Sequence, residues 1–248
     1  MIKIAHRGVS AQAPENTRAA FEKMLPLDIT WLETDIDITS DGQLVLIHDA
    51  SVNRTSNGNG KVNRNTLQGL QKLDFGEWFS PVYQGQQIVT LDWLIDFVNL
   101  HQLNVNFELK TDVQGEQQNF YLMRIHKAFL RLNPNCQIIV SSFNVPLLKK
   151  FHALMPKVAT GLLVDGPITD SHLEQAQAVD AAYIHPDVSF LTQEQARILM
   201  NKGFKLNVWT VNDPKTMARL NEWGINAAFY RFPRRRNGLN NRFFVVKL

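Results

Sequence analysis

A chain of 248 residues with 44% hydrophobic side chains can fill the core of one barrel-sized α/β domain, and no apolar run approaches the roughly 20 residues of a bilayer-crossing helix. The formal charge of +3 is misleading, because six of the 26 basic residues lie between Arg231 and Leu248 without an acid among them; the remainder has 20 basic against 23 acidic groups, a net −3. The basicity is terminal and has no recognition motif behind it, which argues against nucleic acid as a partner. The single Cys136 excludes an internal disulfide and fits a reducing compartment. The start shows no basic-then-apolar leader, so the expectation is a cytoplasmic protein without stable membrane insertion.

The first strand ends on His6-Arg7-Gly8, and the chain then turns through Pro14 and Glu15 into Asn16-Thr17, which start an amphipathic helix halted near Pro26. "TWLETDIDIT" alternates as a strand, and "QLVLIHD" forms another after the turn Asp41-Gly42. From about 49 to 89 the chain is rich in Asn and Gly, with one helix-like piece at 67–73. Such a stretch reads as an insertion over the strand ends. Thereafter helices and strands alternate: "TLDWLIDFVNLHQ", "NVNFELK", "QQNFYLMRIHKAFLRL", "CQIIVSSF", "VPLLKKFHALM", "VATGLLV", "SHLEQAQAV", "AAYIHP", "TQEQARILMNKG", "KLNVWTV", "PKTMARLNEWG" and "AAFY". Eight core strands, starting at Ile2, Trp31, Asn104, Gln137, Val158, Ala181, Lys205 and Ala227, predict a (β/α)₈ barrel with a small insertion after the second strand. No Gly-rich dinucleotide fingerprint follows the first strand, which weighs against an open nucleotide-binding sheet.

Residues two apart on a strand share a face, so Glu33 and Asp35 point together, as do Glu108 and Lys110. Taken alone, one Glu-x-Asp pair reads as a solvated strand end. Three carboxylates converging from two strands instead make an oxygen-rich site for a hard cation, Mg²⁺ or Ca²⁺, and without one their repulsion raises at least one pKa. His6 and His48 end strands in the same region and can move protons at neutral pH, one as base and one as acid. Arg7 and Lys110 add donors suited to phosphate. Together these groups describe phosphodiester hydrolysis, whereas sugar hydrolysis would leave Arg7 and the histidines unexplained. His185 ends the sixth strand and is a further pocket candidate; the other four histidines fall in helix patterns and read as surface or packing residues. Ser141 and Ser142 end the fourth strand without a motif that would make either a nucleophile. Trp31, Trp78, Trp93 and Trp223 read as packing residues, with Trp78 in the insertion and within reach of a substrate.

"HRG" at 6–8, "PENT" at 14–17, Glu33 and Asp35, Asp41-Gly42, His48-Asp49, Arg54-Thr55 with Gly58 and Gly60, Glu108-x-Lys110 and "VWTVN" at 208–212 together resemble the glycerophosphodiester phosphodiesterases. The resemblance implies one barrel domain over residues 1–248 with an insertion at about 49–89. It further implies hydrolysis of deacylated phospholipids, such as glycerophosphocholine or glycerophosphoethanolamine, to sn-glycerol 3-phosphate and an alcohol. By matching motif, Glu33, Asp35 and Glu108 would be the metal ligands, His6 and His48 the acid/base pair, Arg7 and Lys110 the phosphate holders, and Trp209 a pocket wall. The alternative is a non-catalytic phosphate-ester binder of the same fold, but such a protein is expected to have lost a ligand or a histidine, and all five are present.

The resemblance weakens after the last strand. Tyr230 and Arg231 stand where the family pattern has Thr and Asp, and the segment from about 231 to 248 holds Pro233, Gly238 and three Asn without a helix pattern. A closing eighth helix is therefore not expected. This terminus reads either as altered by a shifted reading frame or as an exposed basic tail that engages anionic partners.

Overall fold

The computed structural model describes residues 1–233; apart from Arg231, Phe232 and Pro233, the basic terminal segment and its two readings lie outside the described residues. In chain order the elements are β1 (Ile2–His6), α1 (Arg18–Glu22), β2 (Trp31–Ile38), β3 (Leu44–Leu46), α2 (Leu67–Leu70), β4 (Val89–Thr90), α3 (Leu91–His101), β5 (Asn104–Leu109), α4 (Gly115–Phe129), β6 (Ile138–Ser142), α5 (Val145–Leu154), β7 (Ala159–Val164), α6 (Asp170–Ala178), β8 (Tyr183–Pro186), α7 (Gln193–Asn201), β9 (Lys205–Val211), α8 (Pro214–Glu222) and β10 (Ala227–Tyr230). Eight of the strands form a parallel ring in the order β1, β10, β9, β8, β7, β6, β5, β2, closed by a β1–β2 pairing. This is the (β/α)₈ barrel that the alternation predicts.

β3 and β4 extend the sheet antiparallel from the end of β2. β4 was not legible in the sequence because two residues are too few to display a period of two. The segment between β3 and α3 is not structureless. With β3 it builds a small apolar cluster of its own from Val45, Ile47, Val52, Val62, Leu70, Phe75 and Ile88, all buried.

The core has two further parts. One cluster lies between the strands and the helices and includes Phe21, Ile36, Phe107, Phe129 and Phe151. A second fills the barrel lumen with Ile4, Trp31, Ile139, Ala227 and Phe229. His185 belongs to this interior. It is fully buried, and a Cβ on Gly161 would lie only 2.6 Å from its Nε2, so the strand carries glycine where the ring packs. Burial pushes the His185 imidazole down to about 3.

The first helix is shorter than its sequence pattern. Thr17, whose hydroxyl accepts from Ala20 N, is the cap of α1, and a separate 3-10 turn at Leu25–Leu27 follows. Asn16 is instead drawn to φ 56 by side-chain hydrogen bonds to β2, so the helix cannot begin there.

Gly8 is where the first strand must turn. Its φ is 79, and a Cβ there would lie 2.7 Å from the backbone carbon of Ala20. Both the left-handed backbone and the close approach require glycine. Gly8→Ala is expected to cost about 2 kcal/mol or more, read as a lowered midpoint in urea unfolding; an unchanged midpoint would show that the turn relaxes freely.

Candidate active site

Strand register assembles the site. Across the parallel ring, His6 lies beside Glu33 and Glu33 beside Asn106, while one level higher Asp35 lies beside Glu108 and Glu108 beside Ser141. Neighbours in register point to the same side, so these side chains converge at one end of the barrel. Glu33, Asp35 and Glu108 each offer a carboxylate oxygen within 4.8 Å of the other two, and all three residues are buried.

Three buried acids at this spacing cannot all ionise cheaply. Burial and the neighbouring Asp35 charge push the Glu33 carboxyl well above its usual range, and the same two causes raise Glu108. Burial also works against ionised Asp35, but the Arg7 guanidinium, helped by His48, Lys110 and the Asn16 hydrogen bond, outweighs it and holds that carboxyl below its usual value. Arg7 Nε lies 3.4 Å from Asp35 Oδ2, and Asn16 Nδ2 donates to the same oxygen at 2.8 Å. The other oxygen, Oδ1, is buried without a hydrogen-bond partner. An orphaned carboxylate oxygen beside two acids whose pKa burial raises fits a hard divalent cation, which would take oxygen ligands and favour the ionised form of all three groups.

The backbone reinforces this arrangement. Arg7 has φ 56, so two consecutive left-handed residues, Arg7 and Gly8, swing the chain out of β1. The Arg7 amide then donates at 2.9 Å to both the carbonyl and the Oε2 of Glu33. Lys110, one residue beyond β5, donates from Nζ to Glu108 Oε1 at 2.9 Å. Burial disfavours its charge, but Glu108 outweighs this and raises the ammonium.

Both histidines line the cavity above the acids, a space of ≈ 460 Å³ whose wall also includes Arg7, Glu33, Glu108, Lys110, Phe143, Leu163, Trp209, Phe229 and Arg231. His6 is buried, with Nε2 3.8 Å from Glu33 Oε2. Burial and the adjacent Arg7 charge hold its imidazole well below the usual value. His48 is half-buried, and its Nδ1 is 2.7 Å from Asp49 Oδ1. Burial lowers its pKa, while Asp35 and the bond to Asp49 oppose that shift.

All eight residues singled out from the sequence therefore converge: His6, His48, Arg7, Lys110 and Trp209 around the cavity, with Glu33 and Glu108 in its wall and Asp35 buried against them. His185 does not face it. Three further residues take part: Asn16 and Arg231, which were missed, and Glu15, which was read mainly as part of the turn but within reach of the site. Asn16 positions Asp35 and accepts from the Thr34 hydroxyl; its signal was an Asn, tolerant of positive φ, placed before a capping Thr. Glu15 receives Arg7 Nη1 at 2.8 Å and Arg54 Nη2 at 2.7 Å. Arg231, read as the start of the terminal tail, instead lines the cavity.

A second, outer cavity of ≈ 510 Å³ shares Arg7, His48 and Arg231 with the first and adds Ser10, Glu15, Asp49, Arg54, Trp78 and Phe79. Trp78 from the 49–89 segment thus borders the site. No helix among the described residues is long and apolar enough to cross a membrane.

A sequence model described as the glycerophosphoryl diester phosphodiesterase family matches residues 6–235. A glycerophosphodiester phosphodiesterase of Bacillus subtilis is 31% identical, over 94% of this chain and 84% of that protein. One from Caldanaerobacter subterraneus subsp. tengcongensis is 34% identical over 90% of each. Among solved structures, an Oleispira antarctica phosphodiesterase in complex with the product sn-glycerol-3-phosphate superposes with a TM-score of 0.89 at 30% identity, covering 94% of both chains. The chain belongs to the glycerophosphoryl diester phosphodiesterase family and is an enzyme of that class.

Proposed function

We propose that this enzyme hydrolyses glycerophosphodiesters to sn-glycerol 3-phosphate and an alcohol, using a divalent cation and the His6/His48 pair. The observation that carries the reading is the in-register set of Glu33, Asp35 and Glu108 in the cavity that both histidines line. The product named for the Oleispira relative supports glycerol 3-phosphate as the retained half.

Glu33, Asp35 and Glu108 would hold the cation, Mg²⁺ or Ca²⁺. A cation bound there supplies charge that screens the phosphate and stabilises the transition state. Arg7 and Lys110 hold phosphate oxygens by charge-assisted hydrogen bonds. Phe143, Leu163 and Trp209 give the glycerol carbons an apolar wall. His6 is neutral at pH 7, because burial and Arg7 disfavour its charge, and takes a proton from the attacking oxygen. That oxygen belongs to water or to the substrate's own glycerol hydroxyl; the same proton acceptor serves both. His48 keeps its Nδ1 on Asp49, whose carboxylate supports the protonated ring, and gives a proton to the departing alcohol. Residues 49–89 act as a cover over the strand ends within one catalytic domain, and the single Cys136 is consistent with work in the cytoplasm.

The direct test is release of sn-glycerol 3-phosphate from glycerophosphocholine. EDTA is expected to stop turnover, and Mg²⁺ or Ca²⁺ to restore it. His48→Ala should cost about 10² or more in kcat. Either ion should raise the melting temperature of the wild type, and Asp35→Asn should remove that rise along with activity. A folded, metal-loaded protein that turns over neither glycerophosphocholine nor an anionic glycerophosphodiester would overturn the reading.

The pH profile checks the assignment of His48. As an acid it must be protonated, so activity is present below its pKa and lost as pH rises through it. The hydrogen bond to Asp49 raises that pKa. Asp49→Asn is therefore expected to move the alkaline fall in kcat to lower pH; a shift upward, or none, would remove His48 from this role.

A further inference from the structure

We propose that Arg231 selects substrates whose alcohol portion carries a further anionic group, a phosphate or carboxylate, beyond the diester that is cleaved. This rests on the glycerophosphodiester reading and names the substrate class within it.

Arg231 directly follows β10 and borders both cavities, so it stands at the passage between them. Its backbone is fixed there, because Ala11 N donates to its carbonyl at 3.0 Å. The inner cavity is committed to the acids, the histidines and an apolar wall, so the glycerol phosphate half occupies it. The departing alcohol lies on the side of His48, the residue that protonates it, and His48 opens on the outer cavity.

Charge in that outer cavity is almost entirely spoken for. Glu15 accepts from Arg7 and twice from Arg54, and Asp49 accepts from Arg54 through Nε at 2.6 Å and Nη2 at 3.0 Å. Arg7 is further tied to Asp35. Among the described residues, the Arg231 side chain has no hydrogen bond or ion pair. Partial burial and the nearby Arg7 charge work against its protonation, with Glu15 opposing them, and the guanidinium stays charged at neutral pH. With no described residue engaging its five donors, the solvent-facing Arg231 guanidinium is available to an anion delivered with the substrate. A cationic alcohol such as choline would meet repulsion at the same place.

The experiment compares kcat/KM for glycerophosphoinositol and glycerophosphoinositol 4-phosphate, which differ only in one phosphate on the alcohol and share sn-glycerol 3-phosphate as the product followed. Wild type is expected to favour the phosphorylated diester, and Arg231→Gln to reduce that preference about tenfold, the scale of one charge-assisted hydrogen bond. Equal losses on both diesters would place Arg231 on the scissile phosphate and overturn the proposal, as would an unchanged preference or none in wild type. Calorimetric binding of the same two compounds to His48→Ala, with and without Arg231→Gln, reads the preference without turnover. Failure of every diester to react would thus defeat the substrate reading, while the binding ratio would still decide the role of Arg231.

Discussion

Mutual repulsion among Glu33, Asp35 and Glu108 is the constraint around which the upper end of this barrel is organised. Three carboxylates within 4.8 Å, taken out of water, oppose folding unless positive charge or protons neutralise them. Arg7 and Lys110 supply two cations for three acids, which leaves one negative charge uncompensated and two carboxyls raised. A divalent ion more than closes this deficit. It would also leave Arg7 and Lys110 with charge to direct at the phosphate of the proposed substrate instead of spending it all on the protein.

Precision comes from backbone pairing, not from long side chains finding one another. His6, Glu33 and Asn106 sit in register, as do Asp35, Glu108 and Ser141, so the spacing of the chemistry is fixed by the hydrogen-bond ladder that closes the barrel. The left-handed pair Arg7 and Gly8 adds the one departure from regular strand geometry. That turn brings the Arg7 amide onto Glu33 while its guanidinium reaches Asp35. Backbone strain of this kind persists where the surroundings over-determine it; here Ala20 behind Gly8 and Glu33 beside Arg7 do so.

The eight ring strands and the convergence of the eight candidate residues were legible in the sequence, because strand alternation and the Glu-x-Asp and Glu-x-Lys spacings encode which face a side chain takes. What escaped was set by contacts distant in sequence. Asn16 looks like the start of a helix until Asp35 and Thr34 are known to hold it. His185 ends a strand, as His6 does, but the glycine across from it lets the ring sink into the lumen. Arg231 sits among basic residues that read as a tail, and only the closure of β10 against β1 brings it to the mouth of the site.

One continuous line of ionic contacts leads into the three-acid cluster. It runs from His48 through Asp49, Arg54, Glu15 and Arg7 to Asp35. Arg54, on the inserted segment, is its most exposed member, so its pairs add little to stability. Their consequence is positional. Arg54 grips Asp49 and Glu15 at once, tying the loop that carries His48 to the turn that carries Arg7. His48 and Arg7, the proposed proton donor and phosphate holder, are thereby kept in one frame, although they arrive on different segments of the chain. With both acids engaged in that frame, Arg231 is the charge in the outer cavity that no described residue pairs, and on the proposed reading its sign is what would discriminate among the alcohols that leave through it.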